Sequence, residues 1–210
     1  AFMYKGLNYA ERDKTEYDQD FPFGYPEKAI DDTSLRQAWD FWEKYKITQD
    51  DKRFIVCFFG ALTERNELYT LFQAARELRT SKRSFLFVIC GKGALSERCK
   101  EWSLGEKYLI FPGWVGYGEI KALMKVASVG VIPYPSTQDF SASIPNKVIE
   151  YFSGGLPVLS SVQGVLQELL SVNDCGLTYE NKNFRQLSEI LICLYDNPGR
   201  LNELSQNASK

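Results

Sequence analysis

The sequence has 210 residues, of which 44% are hydrophobic and 14% aromatic, and 25 basic and 27 acidic side chains give it a net charge of −2. This composition is typical of one well-buried globular domain, and the chain is too short for two complete Rossmann-type domains. The near-neutral charge favours neither a nucleic-acid partner nor a polybasic membrane contact. The sequence has no histidine, which excludes Ser-His and Cys-His catalysis, histidine metal sites and a histidine general base.

The five cysteines are odd in number, widely spaced and without a C-x-x-C pair. Cys57 and Cys90 lie in apolar runs, where a free cysteine usually behaves as a small buried hydrophobe. This pattern predicts a reducing, cytoplasmic location. No signal peptide and no apolar run near twenty residues is present, so we expect that this chain does not itself span a membrane, although peripheral attachment at the inner face stays open.

Residues 1 to about 30 are polar and aromatic without a sustained period, and they indicate a linker or the edge of a missing domain. They contain Asp18-Gln19-Asp20, the D-x-D spelling of some metal-dependent sugar transferases, but no strand precedes it to hold a carboxylate pair. We therefore predict no metal site. An aromatic stripe from about Thr33 to Tyr45 predicts a helix, capped by Asp32 or Thr33, that docks on a sheet. Residues 1–50 are thus interpreted as linker and docking helix.

From residue 51 to 210 the chain is interpreted as one domain in which apolar runs alternate with helical segments. The predicted strands are residues 53–60, 84–91, 108–114, 128–135, 156–160 and 176–179. The intervening helices are predicted near residues 64–79, up to 102, 119–126, 144–153, 163–171, 183–195 and 200–207. This rhythm predicts an α/β fold with a doubly wound, parallel, six-stranded Rossmann-like sheet.

In such a sheet, ligands bind beyond the carboxyl ends of the strands, so the loops that follow the strands are the candidate site. Glycines in these loops suit sharp turns or a close approach of ligand to backbone. Neither G-x-G-x-x-G after the first strand nor G-x-x-x-x-G-K-[ST] occurs, which disfavours dinucleotide-binding and P-loop NTPase functions.

The stretch from Ser143 to Ser161, SIPNKVIEYFSGGLPVLSS, carries most of the chemical information. It predicts a helix from about Ile144, with Ser143 as N-cap, followed by a Gly-Gly stop and a buried strand. Free N–H groups at the start of this helix suit an anion. Lys147 and Glu150 stand three residues apart on it.

The segments FFGAL, FVICGKG, IFPGWVGYGEIKALMKVASVGVIPYP and PNKVIEYFSGGLPVLSS, taken in that order, resemble the C-terminal nucleotide-sugar-binding domain of retaining GT-B glycosyltransferases of group 1. The resemblance covers about Arg53 to Ser205 and implies that the domain is one half of a GT-B architecture. In that family a glutamate on this helix binds the ribose hydroxyls, and Glu150 is the matching position.

The sequence departs from the family pattern at several positions. The glutamate that the family uses to contact the transferred sugar is replaced by Ala142, with Asp139 the nearest carboxylate. The family's arginine and lysine after the first strand are replaced by Ala61 and Asn66, with Arg65 adjacent. Lys147 resembles a branch that supplies a cation from the helix.

The resemblance therefore implies two groups of site residues, whereas the catalytic residues stay unassigned. The expected nucleotide-binding residues are Glu150, Lys147, Asn146, Arg65, Gly91, Trp114 and Val115. The expected sugar-binding residues are Asp139, Ser141 and Ser143. The base is expected against the loop from Gly113 to Gly118, where Trp114 and Tyr117 can stack or pack.

The implied function is that of the donor-binding domain of a retaining glycosyltransferase in glycan or polysaccharide synthesis. It uses a nucleotide-diphosphate sugar as donor substrate and needs no cofactor. We expect it to be inactive alone, because the expected acceptor-binding domain, through which peripheral membrane association stays open, is missing from this chain. Two alternatives stay open: a non-catalytic nucleotide-binding module, favoured by Ala142, and a GT-B-shaped nucleotide-sugar epimerase, which the absence of histidine disfavours.

Overall fold

The computed structural model describes Thr15 and residues 29–210. The Asp18-Gln19-Asp20 spelling and most of the expected linker lie outside the described residues. Among the helices of the described part, none is both long and apolar enough to cross a membrane.

The centre of the structure is one six-stranded sheet with the order β3-β2-β1-β4-β5-β6. Every neighbouring pair runs parallel. The strands are β1 (Phe54–Ala61), β2 (Phe85–Lys92), β3 (Leu109–Gly113), β4 (Val129–Ile132), β5 (Val158–Ser160) and β6 (Gly176–Thr178). The prediction of a doubly wound parallel sheet is confirmed, and its switch point lies between β1 and β4.

Helices connect and flank the strands throughout residues 29–210. They are α1 (Asp32–Glu43), α2 (Leu68–Leu78), α3 (Ser96–Ser103), α4 (Tyr117–Met124), α5 (Gln138–Ser141), α6 (Asn146–Ser153), α7 (Val165–Val172), α8 (Phe184–Asp196) and α9 (Pro198–Ala208). Because the strands are parallel, the loops that follow them all open at one edge of the sheet.

The continuous apolar runs form strands whose two faces are both covered. In β1 the six positions from Phe54 to Phe59 are all buried, as expected for a parallel sheet with cover on each side. Cys57 and Cys90 are buried, as predicted, and all five cysteines are free thiols. Desolvation in this core raises the pKa of both thiols well above the usual range, so they pack as apolar groups.

Helix α1 differs in two respects from its prediction. Its N-cap is Asp31, whose carboxylate accepts hydrogen bonds from the backbone N–H and hydroxyl of Ser34, so the prediction of Asp32 or Thr33 as cap was wrong. Its main partner is helix α4 rather than a sheet face. The fully buried Trp42 donates its indole N–H to the carbonyl of Glu119 at 2.8 Å.

The stretch before α6 also differs from expectation. Residues predicted as an open loop after β4 contain the short helix α5, and α6 begins at Asn146 with Pro145 as N-cap. Ser143 was wrongly predicted as the cap, because its hydroxyl donates to the carbonyl of Asp139 at 2.8 Å instead. Proline suits this position since its fixed φ leads into the helix.

Candidate functional site

Tyr151 anchors helix α6 over the switch point of the sheet. Its ring is fully buried. The ring fills the space beside Gly130 of β4, where a Cβ atom added to the glycine would lie only 2.5–2.6 Å from carbons of the Tyr151 ring. Its hydroxyl accepts from the backbone N–H of Phe59 at 3.3 Å and lies 3.4 Å from the carbonyls of Cys57 and Val131. The phenol thereby ties α6 to the facing ends of β1 and β4.

We expect Tyr151→Phe to lower the free energy of unfolding by about 1–3 kcal/mol, because buried backbone groups of β1 and β4 lose their partner while the apolar ring is kept. Urea denaturation measures this. Tyr69→Phe, at an exposed tyrosine, is the control and should stay within about 0.5 kcal/mol of the parent. Equal stability of the two variants would contradict the anchoring role.

A cavity of about 340 Å³ opens at the carboxyl ends of β1 and β2, beneath α6. Its size is within the usual range for small-molecule sites. Its walls come from the ends of two strands, the loop after β3, α4 and α6. The lining residues are Phe59, Gly60, Ala61, Cys90, Gly91, Lys92, Trp114, Val115, Ile120, Lys147 and Glu150.

Lys147 reaches the cavity across Gly60. The end of the lysine side chain occupies the space where a Cβ on Gly60 would stand, so the missing side chain of Gly60 creates the path for the ammonium group. Burial lowers the pKa of Lys147, and the negative charge of Glu150 opposes that shift. A half-buried cation beside a cavity is a suitable partner for an anionic ligand.

Glu150 lies one helical turn further along α6 and lines the same cavity. Its side chain is half-buried. Burial of the Cys57 thiol is the main cause of that thiol's raised pKa, and the negative charge of Glu150 raises it further. The site thus presents one carboxylate and one ammonium group from a single rigid helix. A carboxylate is an acceptor for two hydroxyl hydrogen bonds at once, which suits a vicinal diol.

Lys92 is a cavity residue that was not among the site residues predicted from the sequence. It is the last residue of β2, its side chain is exposed, and it lines the cavity with Lys147. The signal that reveals it is its place directly after the buried run FLFVICG. Two lysines from different elements therefore face the space between β1, β2 and α6.

The expected nucleotide-binding residues separate into two groups. Five of the seven line the cavity: Glu150, Lys147, Gly91, Trp114 and Val115. Asn146 is exposed at the first turn of α6 and Arg65 is exposed in the loop after β1, and neither lines the cavity. Trp114 is 72% exposed, which leaves its ring free to cover a bound planar group.

The expected sugar-binding residues lie together on and beside α5, with Arg65. Arg65 forms an ion pair with Asp139, and its guanidinium lies 5.3 Å from the ring centre of Phe140. Asp139 also accepts from the hydroxyl of Thr137 at 2.5 Å, and this bond, with the charge of Arg65, lowers the pKa of Asp139. The four residues Asp139, Ser141, Ser143 and Arg65 do not line the cavity.

The positions where the resemblance expects other residues have local structural roles. Ala142 is the C-cap of α5, and its N–H donates to Gln138. Asn66 donates its side-chain amide to the carbonyl of Ala61 at 2.7 Å. The loop after β1 is therefore closed by an amide where the family usually places a lysine.

A sequence model of the family described as "Glycosyl transferases group 1" matches residues 40–210. The chain belongs to the group 1 glycosyl transferases. It is 27% identical over 136 residues to the putative colanic acid biosynthesis glycosyltransferase WcaL of Escherichia coli K12, covering 62% of this chain and 33% of WcaL. It is 28% identical over 137 residues to the chitobiosyldiphosphodolichol beta-mannosyltransferase of Candida glabrata, covering 63% of this chain and 29% of that enzyme.

Solved glycosyltransferases share the fold of this group 1 chain. The C-terminal domain of the group 1 protein LpcC from Francisella tularensis matches with a TM-score of 0.62 and 17% identity, covering 82% of this chain and 89% of that one. HepE from Anabaena, crystallised with UDP and glucose, matches with a TM-score of 0.64 and 15% identity, covering 86% of this chain and 47% of that one. The chain spans about a third of the length of the curated relatives it matches.

Proposed function

We propose that this domain binds the nucleoside-diphosphate part of a nucleotide-sugar donor for a retaining glycosyltransferase of glycan or polysaccharide synthesis. The observation that carries the proposal is the presence of both Glu150 and Lys147 in the lining of one cavity at the carboxyl edge of the sheet. The carboxylate would accept hydrogen bonds from the ribose hydroxyls. The names of the relatives, which concern colanic acid and dolichol-linked sugars, support the glycan context.

Sugar transfer from such a donor requires the departing diphosphate to be stabilised as negative charge builds on it. Without a metal, protein donors and cations must supply that stabilisation. Lys147 is held in place by α6 and Lys92 by the end of β2, and the start of α6, which no side chain caps, adds the positive end of the helix dipole. These groups take the role that the family gives to the cations replaced by Ala61 and Asn66.

The proposal is tested by calorimetry of this chain with UDP, GDP, ADP and uridine. We expect one diphosphate to bind more tightly than its nucleoside, since the two lysines contact only the phosphates. Equal affinity for the diphosphate and the nucleoside, or no binding of any of the four, would refute it.

We expect Lys92→Gln to weaken diphosphate binding about fivefold, in line with an exposed charge pair of about 1 kcal/mol, and to leave nucleoside binding unchanged. Lys100→Gln is the matched control, because Lys100 is an exposed lysine on α3 that pairs with Glu97 away from the cavity. If the Lys92 variant bound the diphosphate as tightly as the Lys100 variant does, Lys92 would have no role in the site.

The retaining outcome and the need for an acceptor-binding domain are further parts of the proposal. We expect this chain alone to transfer no sugar, and the complete enzyme to form a product with the anomeric configuration of the donor. Proton NMR of the newly formed linkage measures the configuration directly. Inversion at the anomeric carbon would contradict the retaining mechanism, and transfer by this chain alone would contradict the two-domain requirement.

The non-catalytic binding module is the second candidate function. It is favoured by Ala142 at the sugar-contact position and by the ion pair that occupies Asp139. Binding of the diphosphate without transfer or donor hydrolysis by the complete protein would establish it.

A further inference from the structure

A second groove lies on the far side of the loop that follows β1. It has a volume of about 450 Å³. The start of α2 and the length of α3 form its walls, and Asn66, in the loop between β1 and α2, also lines it. Ala61, the last residue of β1 and immediately before that loop, lines the first cavity, so one short segment separates the two spaces.

An aromatic pair forms one wall of this groove. The ring of Tyr69 on α2 is 5.1 Å from that of Trp102 on α3, and Trp102 packs edge-on against Phe72 at 4.6 Å. Phe72 is fully buried, whereas Tyr69 is 45% exposed. The core thus fixes the indole, and the two rings present a partly open apolar surface.

Polar groups surround the aromatic pair. Glu64, Glu67 and Glu101 line the groove with Arg98. Arg98 pairs with Glu64 at 3.5 Å and Lys182 pairs with Glu67 at 3.4 Å, so the cations near the groove have carboxylate partners. Across the part of the chain that the structure describes, Glu101 has no ion pair and the Trp102 indole N–H donates no hydrogen bond.

We propose that this groove binds an uncharged saccharide, separately from the donor cavity. Sugars combine an apolar C–H face, which packs on aromatic rings, with hydroxyls that donate to carboxylates and accept from N–H groups. The aromatic pair, the carboxylate of Glu101 and the indole N–H of Trp102 supply these features. The excess of carboxylates over basic groups disfavours phosphate or acidic sugars.

The test is an NMR titration of the full 210-residue chain with maltotetraose, chitotetraose and mannotetraose as probes, following the indole N–H resonance of Trp102. We expect at least one probe to shift it at millimolar concentration. Tyr69→Ala should weaken that binding roughly tenfold through loss of the aromatic face, and Glu101→Gln should weaken it through loss of a charged acceptor. Leu104→Ala, at a residue that is 84% exposed and outside the groove, should bind as the parent does.

Three results would overturn the proposal. The first is that no probe shifts the Trp102 indole resonance. The second is a shift that neither Tyr69→Ala nor Glu101→Gln reduces. The third is a shift that depends on protein concentration rather than on sugar concentration, which would indicate a contact between protein molecules. Circular dichroism and the melting temperature establish that each variant is folded. UDP titration of the same samples reports on the donor cavity independently, so failure of one site is distinguishable from failure of the other.

Discussion

Replacing Glu150 by alanine is expected to weaken binding of the nucleoside diphosphate by about 2–5 kcal/mol, the range for removing one partner of a charged hydrogen-bonded pair that the bound ligand would bury. The carboxylate lines the cavity from a helix that Tyr151 fixes to the sheet, so it is held in place before the ligand binds. Because the proposed contact is with the ribose, the affinity for the nucleoside should fall by a similar factor. Calorimetry with both ligands measures this.

Glu97→Ala is the matched control, since Glu97 is an exposed glutamate on α3 that pairs with Lys100 outside the cavity. Its affinity for both ligands should equal that of the parent. If Glu150→Ala bound the diphosphate as tightly as Glu97→Ala does, Glu150 would have no role in ribose recognition and the proposed function would lose its main support.

Replacing Gly91 by alanine is expected to lower the free energy of unfolding by at least about 3 kcal/mol, because the added methyl group has no room. Gly91 pairs in register with Gly60 at the ends of β2 and β1, and the carbonyl oxygen of Gly60 occupies the position that a Cβ would take. Backbone cannot yield as a flexible side chain does, so the two strands must separate at the floor of the cavity. Urea denaturation measures the loss.

Gly199→Ala is the control for this substitution. Gly199 lies in α9, and a Cβ there meets nothing within 4 Å. Alanine should leave stability unchanged or raise it by at most about 1 kcal/mol, because it lowers the backbone entropy of the unfolded chain. Similar losses for the two variants would show that the contact of Gly91 with Gly60 does not limit the packing of the strands.

The strands could be predicted from the sequence because a parallel sheet covered on both faces needs continuous apolar runs, such as FIVCFF in β1. The details near the site were harder to predict. Ser143 has the chemistry of an N-cap, but α5 forms immediately before it and its hydroxyl bonds back to Asp139. The preference of serine for the N-cap position was overridden by helix α5. The formation of α5 depends on packing, since the ring of Phe140 on this helix lies 4.8 Å from that of Tyr134.

In the candidate site too, some residues could be predicted from the sequence and others could not. Glu150 and Lys147 could be found because they stand on one helix at a fixed spacing. Lys92 joins them only through the pairing of β2 with β1, and Arg65 meets Asp139 across 74 positions of sequence. Spacing along the chain contains no information about such encounters, so the sequence grouped Arg65 with the nucleotide and Asp139 with the sugar, whereas the two charges pair with each other.

The sequence by itself determined the parallel sheet, the family and the helix that carries Lys147 and Glu150, because these depend on periodicity and on local motifs. Only the tertiary structure decided which side chains share a cavity. Gly60 leaves the path that Lys147 takes, Gly130 leaves the space that Tyr151 fills, and the loop after β1 separates the first cavity from the second groove. These are contacts between elements far apart in the chain, and they follow from how the elements pack rather than from what each one is.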